Sequence, residues 1–84
     1  MNSKQRKTLG AIFSKPTLAN VEWSRIESLF MAVGCQCIEG SGSRVRFVHG
    51  TTVGTFHRPH PAKEAKPYQV EDALKFLETI GVKP

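Results

Sequence analysis

The hydrophobic period of this chain changes twice. From Asn20 onward Trp23, Ile26, Phe30 and Val33 recur at i, i+3, i+7 and i+10, with Leu29 beside them. That stripe is one face of an amphipathic helix. Asn20 is the predicted N-cap and Gly34 the left-handed residue that closes the other end, so the helix is placed over 20–33. At Cys35 the period drops to two. The run Cys35-Gln36-Cys37-Ile38-Glu39 is short and bounded by glycine, which reads as a strand. Gly40-Ser41-Gly42-Ser43 is a turn. Arg44 to Val48 then alternates, with Val45 and Phe47 on one face and Arg44 and Arg46 on the other. His49-Gly50-Thr51 is a second turn, and Thr52 to Phe56, interrupted by Gly54, is a third strand. Residues 57–66 form a loop broken by Pro59 and Pro61. Pro67 suits the first position of a helix, Val70, Ala73, Leu74, Leu77 and Ile80 follow at helical spacing, and Gly81 ends it.

Ahead of these elements, Leu9, Ile12 and Phe13 share a face within a short helix over 3–15, with Ser3 as its cap and Pro16 as its stop. Lys4, Arg6 and Lys7 gather at its N-terminal end, which opposes the helix dipole. That helix is therefore expected to be frayed or held by contacts elsewhere. The order helix, helix, three strands, helix predicts an α+β fold. A three-stranded antiparallel sheet would carry its helices on one face and leave the other face, with Arg44 and Arg46, for a partner.

Composition sharpens this picture. Eighty-four residues make one small domain with room for a shallow site only, which favours a polymer lying across a surface over an engulfed metabolite. The net charge is +5. It is concentrated in residues 1–16 and 41–66, each with a net +4, while the segments between and after are acidic. Such focused basic patches suit a nucleic-acid backbone. No apolar run reaches transmembrane length, and the apolar residues near the N-terminus are too spaced for a secretory signal. Cys35 and Cys37 stand too close along a strand to bridge without strain, so both are read as reduced thiols of an intracellular protein. Their spacing, taken with His57-x-x-His60, fits structural zinc poorly, and no metal is expected.

The segment 40–66 carries the candidate chemistry. It holds all three histidines (His49, His57 and His60), together with Arg44, Arg46, Arg58, Lys63 and Lys66. Cleavage of RNA without metal requires a base for the 2′-hydroxyl, an acid for the leaving 5′-oxygen and a cation for the phosphorane. His57 and His60, in a proline-stiffened loop, are the candidates for proton transfer. Arg44, Arg46, Arg58, Lys63 and Lys66 are the candidates for phosphate contacts. His49 falls in a turn and reads as structural or solvated. Ser41 and Ser43 are explained by turn formation.

An α–β–β–β–α order with a basic loop before the last helix is the layout of double-stranded-RNA-binding domains. Within that layout, Gly42-Ser43-Arg44-Val45-Arg46-Phe47, Pro59-His60 and Lys63-Glu64-Ala65-Lys66-Pro67, followed by an amphipathic helix, resemble the HicA family. HicA proteins are bacterial toxins of type II toxin–antitoxin systems that act as mRNA interferases. The resemblance spans about Trp23 to Val82. It divides the chain into a basic N-terminal extension, 1–19, and a HicA-like domain, 20–84. It implies a cytoplasmic, metal-independent endoribonuclease that acts on mRNA, needs no cofactor, and is neutralised by a HicB-like antitoxin. The family motif is Gly-Ser-His, with that histidine expected to be catalytic, and this chain has Arg44 in its place. Arginine stays charged at any working pH and is no general base near neutrality, though it can hold a phosphate or stabilise a cleaving one. The alternative reading is a non-catalytic RNA-binding module on the same fold.

Overall fold

Both changes of period appear in the folded chain. A computed structural model describes residues 1–84 and contains α1 (Ser3–Ile12), α2 (Trp23–Ala32), β1 (Gln36–Glu39), β2 (Arg44–His49), β3 (Thr52–His57) and α3 (Pro67–Thr79). The strands form one antiparallel sheet in the order β1-β2-β3. Val45 is paired with Phe56 and Phe47 with Gly54, so these four share a face. That face takes the helices. The Phe30 ring of α2 lies 4.9 Å from Phe47 and 5.5 Å from Phe56, and Phe76 of α3 lies 5.1 Å from Phe30. Trp23 closes the cluster against Phe56 at 5.4 Å. Fully burying side chains such as Phe30, Phe47, Ile26 and Leu77 stabilises the fold by roughly 1.5–3 kcal/mol each. The α+β fold is the one expected, and its element order is compatible with a double-stranded-RNA-binding layout.

Gly54 shows how α3 closes onto the sheet. A Cβ there would sit 2.7 Å from Cδ1 of Phe76 and 2.9 Å from Cε1 of Phe56. The residue that interrupts the third strand in the sequence is thus the gap into which the Phe76 ring fits. Gly34 and Gly81, at φ 97° and 81°, end α2 and α3. The amides of Cys35 and Val82 donate back to the carbonyls of Phe30 and Leu77 at 3.0 and 2.9 Å.

Two helix starts differ from expectation. Asn20 does not cap α2, which begins three residues later. Residues 21–23 are held extended beside 63–65, with the Ala65 amide donating to the Val21 carbonyl at 2.7 Å and the Trp23 amide to the Lys63 carbonyl at 2.9 Å. This pairing prevents an earlier start and gives the first helical amide, that of Trp23, its partner. In α1 the cap is Asn2 and not Ser3. Asn2 Oδ1 accepts from the Gln5 amide at 2.9 Å, and Gln5 Oε1 accepts from the Asn2 amide at 2.8 Å. The unfavourable cations of α1 are offset by burial of Leu9 and Ile12 and by Gln5 Nε2 donating to Ser28 Oγ at 3.1 Å. No helix is long and apolar enough to cross a membrane.

Candidate functional site

Arg44, His57, His60 and Lys66 lie where β2 begins and β3 ends. Register places Arg44 directly across from His57. Both are exposed and both lie on the face opposite Val45 and Phe56. Ser43 Oγ approaches His57 Nδ1 at 3.5 Å, which leaves Nε2 as the nitrogen free for a substrate. The Arg58 amide donates to the Ser43 carbonyl at 2.9 Å and extends the ladder by one residue. The chain then loops out through His60 and returns along 63–65, held there by the pairing with 21–23. This return delivers the start of α3 to the end of β3. Gln69, which is buried, fixes the junction: its Nε2 donates to the His57 carbonyl at 2.6 Å, and its Oε1 accepts from the Lys66 amide at 2.9 Å. The result is an open hollow of about 230 Å³ lined by Ser43, His57, His60, Lys66, Tyr68 and Gln69, among others.

Arg58 takes a different course. It lies two residues beyond Phe56 and so falls on the helix side of the sheet. There Nε donates to Glu27 Oε2 at 2.6 Å, Nη1 donates to Glu39 Oε1 at 2.6 Å, and Nη2 reaches both carboxylates at 3.2 and 2.9 Å. Trp23 Nε1 also donates to Glu27. The hydrogen bonds it donates to Glu39 and then to Glu27 push the Arg58 guanidinium further into its charged form. The same contact holds the Glu39 carboxyl below the usual carboxylate range. Its place in the basic segment makes Arg58 a candidate phosphate contact, but its Nε, Nη1 and Nη2 are engaged by two carboxylates. It joins the end of β3 to α2 and β1.

The other cations separate into groups. Arg44 and Arg46 are exposed on one strand face, as alternation predicts, and neither pairs with an acid. Lys66 lines the hollow with the two histidines. Lys63 faces a second hollow across the loop, beside Trp23 and Pro61. His49 is half-buried near Gly34 at the opposite end of β2 and does not join the site. Cys37 lies on the helix face of the sheet and His57 on the other, and no three potential metal ligands converge. Burial pushes both thiols up. Tyr68 and Gln69 were not singled out in the sequence. The available signal for Tyr68 was an aromatic residue lying off the apolar stripe of its helix, at the first turn after a basic loop.

A comparison with family models matches residues 23–81 to one described as the HicA toxin of bacterial toxin–antitoxin systems. That is well over half of the chain. The chain belongs to the HicA toxin family. Neither a search of curated proteins nor one of solved structures returns a match. All of α2, the sheet, α3 and the hollow fall within the HicA match, while α1 lies outside it.

Proposed function

We propose that this HicA-family chain is a toxin-type endoribonuclease that cleaves mRNA in the cytoplasm without a metal, and that a HicB-like antitoxin neutralises it. The observation that carries the reading is the hollow in which His57, His60 and Lys66 meet, with Arg44 next to His57 across the strands. One imidazole takes the proton of a ribose 2′-hydroxyl as its oxygen bonds to phosphorus. The bond from phosphorus to the 5′-oxygen breaks, and the other imidazole protonates that leaving oxygen. This produces a 2′,3′-cyclic phosphate and a free 5′-hydroxyl. Arg44 and Lys66 stabilise the charge on the phosphorane. Arg46 and Lys63 extend the phosphate contacts on either side. Arg58 anchors the end of β3, where His57 stands rather than in the loop expected from sequence, together with the start of the loop that bears His60.

The test is cleavage of an mRNA by purified protein in excess chelator. The unmodified chain is expected to cut, and the double variant His57→Ala/His60→Ala to lose at least about 100-fold in rate, the lower end of what general acid–base catalysis supplies. Full activity of the double variant overturns the assignment. The second reading, a non-catalytic RNA-binding module, is favoured by Arg44 standing where the family resemblance expects histidine. It predicts salt-dependent RNA binding with no cleavage by any variant, Arg44→His included.

A further inference from the structure

Tyr68 is the one aromatic ring that the fold places in the solvent beside the candidate site. Trp23, Phe30, Phe47, Phe56 and Phe76 are buried and packed ring on ring, and Phe13 is half-buried against the core. Tyr68 is 55% exposed and belongs to none of these ring pairs. Exposure alone decides nothing, because isolated apolar residues on a surface are common. Its placement is what matters: it lines the same hollow as His57, His60 and Lys66.

The backbone of the same residue adds a second feature. Pro67 has no amide hydrogen, and the amides of Gln69 and Val70 both donate to the Lys66 carbonyl, at 2.8 and 3.1 Å. The Tyr68 amide makes no hydrogen bond and stands at the positive end of the thirteen-residue α3. A phosphate drawn to this amide and to the Lys66 ammonium would place the base of the same nucleotide within reach of the Tyr68 ring. Polymer, imidazoles and ring then occupy one surface.

We infer that Tyr68 is a stacking platform for an unpaired base next to the cleaved phosphate, and that the substrate is therefore single-stranded RNA. This rests on the RNA-cleavage reading above and names its substrate class. A base that stacks on Tyr68 cannot also lie between its neighbours in a duplex. A ring face accepts any base, so the contact selects for strandedness and not for sequence. Gln69 keeps the platform in register with the histidine, because it ties the first turn of α3 to the His57 carbonyl.

The test uses the purified full chain and fluorescence anisotropy with three probes. These are a twelve-nucleotide 2′-O-methyl oligoribonucleotide, which cannot be cleaved, the same backbone without bases, and a blunt duplex of the same sequence. Tyr68→Ala is expected to weaken binding to the single strand by about fivefold to about 150-fold, the range that base–aromatic stacking supplies. The base-less backbone should bind both proteins equally, and so should the duplex. Tyr68→Phe should bind like the unmodified chain. In Tyr68→Trp the added indole should be quenched by the single strand and not by the base-less backbone, a signal that also reports a folded site. Unchanged single-strand binding in Tyr68→Ala overturns the stacking role while leaving the nuclease reading intact. An equal loss on the base-less backbone overturns it too, by assigning Tyr68 to phosphate contact. Failure of the unmodified chain to bind any of the three probes overturns both.

Discussion

Arg58 shows what alternation along a strand can and cannot tell a reader. In sequence it sits between His57 and Pro59 in one of the two basic segments of the chain, and it reads as one more phosphate contact. Its partners are Glu27, 31 residues away, and Glu39, 19 residues away, and no local pattern joins the three. Arg44 and Arg46 were legible because strand parity alone sets their face. Arg58 was not, because its role depends on which acids the fold brings to the helix side. Glu27 is 22% exposed at its side chain, so Arg58→Ala would leave a largely desolvated carboxylate with Trp23 as its main donor. The expected loss is about 1–3 kcal/mol in urea unfolding, smaller than for a fully buried pair. The acid limb tests the Glu39 arm separately. Its carboxyl is held below the usual range by the hydrogen bond from Arg58, so that contact stabilises the fold above the unfolded carboxylate pKa. The contribution fades as pH falls from about 4 through the lowered folded value. Glu39→Gln should therefore reduce stability at neutral pH and flatten the pH dependence below about 4. A limb as steep as that of the unmodified chain would show that the contact is not made in solution.

The elements themselves were legible wherever their periodicity was strong, and their ends were legible wherever the closing chemistry was local. Gly34 and Gly81 end their helices at positive φ as their sequence positions suggest. Asn20 misled because a good capping residue is only a local preference. The pairing of 21–23 with 63–65, which overrides it, joins segments about forty residues apart. The same pairing is why the hollow could not be built from sequence: it returns the loop and sets α3 beside His57. The first helix raises the opposite question. It lies outside the family match and reads in sequence as a basic extension. Yet Ile12 is 1% exposed within the main core, and α1 packs on both α2 and α3. If α1 is integral to this fold, Ile12→Ala should cost about 2–5 kcal/mol, the usual range for emptying a buried isoleucine. It should also shift the single unfolding transition of the whole domain. An unchanged midpoint would make α1 an appendage that docks without contributing stability.

The Cα positions span 31 × 30 × 20 Å, a slab whose broad faces offer the most room to a macromolecular partner. One face of the sheet is covered by helices. The other is open and places Ile38, Arg46 and Thr55 in one cross-strand row and Arg44 with His57 in the next. Ile38 and Val53 are exposed there among the arginines, at 45% and 54%. Apolar side chains on the same face as two arginines suit a protein partner that carries apolar and acidic groups together, whereas a phosphate backbone would use the cations alone. The proposed antitoxin therefore has a direct way to inhibit, which is to lie on this face and cover the hollow at its end. Long-range attraction to Arg44, Arg46 and Lys66 should speed the encounter, and screening should slow it. The expected outcome is a complex whose association rate falls as salt rises from about 50 to 500 mM, with the dissociation rate changing much less. Hydrogen exchange should slow across 44–66, and at least one of His57 and His60 should be covered. If 44–66 exchange equally fast with and without the antitoxin while RNA cleavage stops, occlusion is wrong. Inhibition would then act through the helix layer, with the anchor of Arg58 on Glu27 as the first contact to examine.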